Sequence, residues 1–189
     1  MPLTPIGIAG LLIPNLIATG NIGIGVPKLA AGIASGIISW NATLKVLTVD
    51  VGSFGVGTGS LPCAIPQPLL FASLLSGLAA AGNVGVMMPL LALGTANGLA
   101  LAFLQGLVVT LHPSVGVGTG IARFIGPPAT PSMIRGFASA GMVGPGPTKM
   151  ATGIGIGLSI AFGSFVLPIP ILGPPSPASS SGSGFGSIV

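Results

Sequence analysis

The chain has 189 residues, half of them apolar, with five Lys or Arg, one acidic residue and a formal net charge of +4; its mean hydropathy is +1.02. Charged residues make up 3%, against about 25% in an ordinary globular chain, which is too little to keep a free monomer dispersed, so the surface is expected to be covered by lipid or by other protein. The scattered cations form no basic stripe and there is no Tyr, which argues against nucleic acid as a partner; one Cys, one His and one acid are too few for a metal centre or a catalytic constellation.

The first residues, Met1-Pro2-Leu3-Thr4-Pro5-Ile6, are apolar without a preceding basic stretch and are interrupted by prolines, so no secretory signal is expected. A first helix is expected over 10–19, ended by Gly20 and weakened by Pro14. After a turn at Gly20-Asn21-Ile22-Gly23, a second helix starts near Pro27 and runs to about Thr43, carrying Gly32 and Gly36. The β-branched stretch 46–51 reads as a strand, and Gly55-Val56-Gly57-Thr58-Gly59 as a turn or close-packed extended backbone.

The same order then recurs. A helix over 68–81 has Pro68 in its tolerant first turn and Gly82 as its C-terminal cap, with Asn83 in the turn that follows. A second helix runs from near Pro89 to about Gln105 with Gly94 and Gly98, a strand covers 108–111, and Gly116-Val117-Gly118-Thr119-Gly120 repeats the earlier glycine run residue for residue. A third round follows: a helix over 131–140 ended by Gly141, then a helix from near Thr148 to about Phe165 with Gly153 and Gly157. Its ending departs to Pro168-Ile169-Pro170-Ile171 and a Gly/Pro/Ser tail.

Self-comparison turns this order into a repeat. Gly20-Asn21-Ile22-Gly23 answers Gly82-Asn83-Val84-Gly85 and Gly141-Met142-Val143-Gly144. An apolar-Ala pair follows at Leu29-Ala30, Leu91-Ala92 and Met150-Ala151, and then the glycine pairs. The segment 68–77 also lies opposite 127–136. The expected architecture is mainly α with short extended segments: three tandem helix-turn-helix repeats of about 60 residues in pseudo-threefold arrangement. The units are 1–60, 61–120 and 121–172, with 173–189 as a flexible tail whose composition buries little.

Interior glycines cost a helix about 1 kcal/mol each relative to alanine. A pair four residues apart lies on one helix face and lets another backbone approach closely, the small-xxx-small pattern. Gly32, Gly36, Gly94, Gly98, Gly153 and Gly157 are therefore the expected helix-packing residues. No catalytic, cofactor-binding or metal residues are expected. Asp50 and His112 fall at matching repeat positions, where an Asp–His pair near a symmetry axis competes with two polar residues at a strand exit. Cys63 reads as a small buried apolar residue. The glycine runs fit neither G-x-G-x-x-G nor a phosphate loop, since no Gly-Lys-Ser/Thr exists.

The repeated Gly-Asn-(Ile/Val)-Gly followed by Leu-Ala-x-Gly-x-x-x-Gly, the Gly-Val-Gly-Thr-Gly ends and the Pro-Ile-Pro-Ile and Gly/Ser tail resemble small hydrophobic, Gly-rich virion proteins encoded among the baseplate and tail genes of contractile-tailed, cyanophage-like bacteriophages. The chain differs from the PAAR type of spike tip, whose zinc-binding His and Cys residues it lacks. The resemblance implies a non-enzymatic virion structural protein of the tail, at the baseplate or at the central hub or spike. There it would dock on or plug a trimeric hub. The implied partners are other tail or baseplate proteins, with host membrane lipid contacted during injection, and no small-molecule substrate. The alternative reading is an integral membrane protein, pore- or channel-like, with GxxxG-packed helices: residues 84–111 carry no charge, but Pro89 and four glycines interrupt them and there is no aromatic belt.

Overall fold

Thr4 opens the first helix. Its hydroxyl accepts a hydrogen bond from the Gly7 amide at 3.1 Å, and Pro5 follows at the helix start, where a missing N–H costs nothing. The structure is a computed structural model and describes residues 4–41, 46–53, 56–62, 67–105, 107–111, 118–125, 128–164, 167–172 and 180–186. It is mainly α. The elements run α1 (Pro5–Ala18), α2 (Gly25–Asn41), β1 (Val46–Ser53), β2 (Val56–Pro62), α3 (Gln67–Ala80), α4 (Met87–Leu104), β3 (Leu107–Leu111), β4 (Gly118–Ile125), α5 (Ala129–Ser139), α6 (Pro145–Ser164), β5 (Leu167–Leu172) and β6 (Ser180–Gly186).

Helix α1 is longer than the sequence implies, because it begins at the Thr4 cap and continues through Pro14. Proline there leaves one carbonyl without its partner, that of Gly10, an exposed residue to which water has access. The other helices fall within three residues of their expected bounds.

Helices join in pairs through short turns, and each pair leads into two antiparallel strands. The principal helix contacts are α1 with α2, α2 with α3, α3 with α4, α4 with α5, α5 with α6, and α6 back to α1. The six helices of the described residues therefore close into a ring. The strands close as well: β1 through β6 form an antiparallel barrel in sequence order, sealed by pairing of β1 with β6. Residues 180–186, expected within a flexible tail, are the closing strand, with Val46 opposite Gly186 and Gly52 opposite Ser180. The departing third ending is likewise a strand, β5, paired with β4 from Gly118↔Ile171 to Ala122↔Leu167.

This topology gives the helical ring two unlike ends. All strands leave from one, and the three interhelical turns lie at the other. Between them the ring is filled by one apolar core, including Ile8, Leu12, Ile33, Ile37, Leu74, Leu99, Met133 and Leu158, all without solvent exposure. Near the barrel end Trp40 of α2, Phe103 of α4 and Phe162 of α6 meet edge to face. Their ring centroids are 5.8 Å apart for Trp40–Phe103 and 5.1 Å for Phe103–Phe162, a geometry favoured by the ring quadrupoles.

Candidate functional site

The glycine pairs lie on three helix seams. A Cβ at Gly32 would stand 2.8 Å from Leu78 Cα, and one at Gly36 2.6 Å from Leu74 Cα, both on α3. On α4, a Cβ at Gly94 would meet Phe137 Cα at 3.1 Å, and one at Gly98 would meet Met133 Cα at 2.7 Å, both on α5. On α6, Gly153 and Gly157 face Leu16 Cα at 2.9 Å and Leu12 Cα at 3.1 Å on α1. The first two seams also carry a glycine on the opposite helix. A Cβ on Gly77 would press on the Gly32 carbonyl and the Gly36 amide, and one on Gly136 on Gly94 and Gly98. These partners were legible where 68–77 aligns with 127–136, since both segments end in glycine. The α6–α1 seam has polar side chains instead: Thr19 Oγ1 donates to the Asn15 and Leu16 carbonyls, each at 3.0 Å.

Each turn is built the same way. Gly20, Gly82 and Gly141 have φ of +87°, +77° and +80°, the left-handed conformation that closes a helix with a Schellman motif. Gly20 N–H donates to Ile17 and Asn21 N–H to Leu16; Gly82 donates to Ala79 and Asn83 to Leu78; Gly141 donates to Ala138 and Met142 to Phe137. The Asn83 carboxamide also donates to the Lys28 carbonyl at 3.0 Å, tying this turn to the start of α2.

The turn tips are apolar and uncovered. Ile22, Val84 and Val143 are 83%, 89% and 74% exposed, and Ile24 and Val86 project similarly. Between the turns opens a pocket of about 410 Å³, within the size range of small-ligand sites. Asn21, Asn83 and Met142 bring one residue to it from each turn, and Met87, Met88, Leu91 and Met150 supply most of the apolar wall. Four of the chain's six methionines therefore meet at this pocket. Lys28 and Lys149 are exposed at the same end, and Lys149 reaches across the α6–α1 seam to Gly20. The pocket and the apolar tips were not anticipated. Their signal was the apolar residue after Gly-Asn or Gly-Met at each of the three turns.

Asp50 lies in β1, its backbone opposite Gly59 on β2 and Gly182 on β6. His112 and Cys63 lie outside the described residues, and with them the Asp–His pairing and the burial of Cys63. Among the described residues no three His, Cys, Asp or Glu side chains come together. Among the described residues one helix, Met87–Leu104, is long and apolar enough to cross a membrane, and 44% of it is buried in the ring. No protein-family model, curated protein or solved structure matches the chain.

Proposed function

We propose that the chain is a non-enzymatic structural protein of a contractile phage tail, seated by its barrel end on a trimeric hub or spike and capping it. One observation carries this reading: the order helix, helix, strand, strand occurs three times, with matching Schellman turns and matching glycine seams that run α2–α3, α4–α5 and α6–α1. These features support three copies of one unit about a pseudo-threefold axis. A single chain of that kind presents three similar faces to a threefold partner, so one copy can occupy the end of a trimer without breaking its contacts. The test is stoichiometry: quantitative mass spectrometry of purified virions should find one copy for every three of the hub protein. Absence from virions would reject the assignment.

The membrane reading has one observation in its favour, the apolar length of α4. The ring does not share it. Helices α1 and α3 have 14 residues each, about 21 Å of helix, well short of the roughly 30 Å hydrocarbon core. The two readings separate on co-expression. An assembly component should come off the membrane fraction with its hub partner in a high-salt wash, without detergent, whereas a spanning protein should stay with lipid.

A further inference from the structure

The Schellman turn needs its left-handed glycine and the chain reversal needs the second glycine, but the residue between Asn or Met and that glycine has no backbone task. It is nevertheless apolar in all three turns, at Ile22, Val84 and Val143, and each side chain stands almost wholly in solvent. Behind these tips are the exposed cations Lys28 and Lys149. Lys28 sits in the first turn of α2, where a cation opposes the helix dipole, so helix stability does not explain it. The chain's one acid, Asp50, is in a barrel strand at the other end.

Apolar tips backed by ammonium groups fit the boundary of an anionic bilayer, where side chains enter the acyl region while lysines meet phosphates. A second copy docked turn end to turn end fits poorly, because it would set these lysines against the same lysines. We propose that the turn end is a lipid-binding face that inserts shallowly into an anionic phospholipid surface, with its methionine-lined pocket taking the end of an acyl chain. Methionine suits such a pocket because its flexible thioether adapts to chains of variable shape. The inference rests on the tail reading, in which the barrel end is occupied and the turn end points outward.

The test is flotation of the full chain, synthesised cell-free in the presence of vesicles of phosphatidylcholine with or without phosphatidylglycerol. The wild-type chain should float with the anionic vesicles. Combined Ile22→Ser, Val84→Ser and Val143→Ser should cut the floated fraction about tenfold. Combined Ile6→Ser, Leu69→Ser and Leu104→Ser, equally apolar exposed sites away from the turns, should leave it within about twofold of wild type. Lys28→Glu with Lys149→Glu should abolish the preference for phosphatidylglycerol, a result that stands even if the turn variant loses the buried Trp40 emission that reports folding. A wild-type chain that stays at the bottom with both vesicles, or a folded turn variant that floats like the control, overturns the inference. Mass spectrometry of virions carrying the turn variant separates the two claims. Normal incorporation with unaltered flotation rejects only the lipid face, and absence of even the wild-type chain from virions rejects only the tail assignment.

Discussion

Gly82 shows which demand a turn position makes of its residue type. Its φ is +77°, it caps α3, and nothing lies within 4 Å of where a Cβ would stand. The requirement is therefore conformational rather than steric, and Gly82→Ala should cost about 1–2 kcal/mol, the penalty of a left-handed L-residue. Gly10 gives the opposite sign. It is an exposed glycine inside α1 with open space around it, so Gly10→Ala should add about 0.5–1 kcal/mol. Thermal unfolding followed by circular dichroism checks both. Thr95 is the other informative residue: it is fully buried in α4 and its hydroxyl has no hydrogen-bond partner. Ile33 and Ile154 align with it in sequence and are equally buried. Thr95→Val removes an orphaned polar atom at constant shape and should raise stability by about 1 kcal/mol; a lower melting temperature would show that the hydroxyl has a use. The turn glycines were legible in sequence because a left-handed cap has few solutions. Thr95 was not, because nothing local says which face of a helix this rich in apolar residues is sealed.

At the scale of elements, helix propensity and seam packing oppose each other, and magnitudes decide between them. Gly98→Ala gains about 1 kcal/mol of propensity. The new methyl, however, would lie 2.7 Å from both Met133 Cα and Met133 Sδ. The sulfur can swing away but the backbone carbon cannot, so α4 and α5 must part, at an over-packing cost of about 1–3 kcal/mol. The expected outcome is net destabilisation for Gly98→Ala and loss of the folded ring for Gly98→Leu, and with it, on the proposed tail role, loss of virion incorporation. Normal incorporation of the leucine variant would mean that the seam is not needed. Spacing of four revealed one side of each seam, since it places both glycines on one face. The partner helix was not readable, because closure of α6 onto α1 spans almost the whole chain. The start of α1 was missed for a different reason: Thr4-Pro5 is a good cap and first position, but prolines at 2, 5 and 14 read together as breakers.

The whole molecule is closed twice, once by α6 against α1 and once by β6 against β1. The second closure is the less legible. Periodic apolar residues announce a strand, and Ser180–Gly186 reads SSGSGFG, a composition that binds register weakly and looks like a linker. Only the unpaired edges of β1 and β5 give it a place. Those edges set the last prediction. Deleting residues 180–189 removes β6 and leaves the β6-facing backbone donors and acceptors of Val46–Gly52 and Ile171–Leu172 without partners. An exposed edge recruits other chains, and this chain has little charge to oppose that. The truncated protein should keep its helical circular dichroism, since the helical ring closes without the barrel, yet associate into large species by light scattering and, on the proposed tail role, fail to join virions. Deleting only residues 187–189, beyond the end of β6, should change none of these measurements. Truncated protein that matches the full chain in scattering and incorporation would show that barrel closure is dispensable, and that the helical ring alone is the unit of assembly.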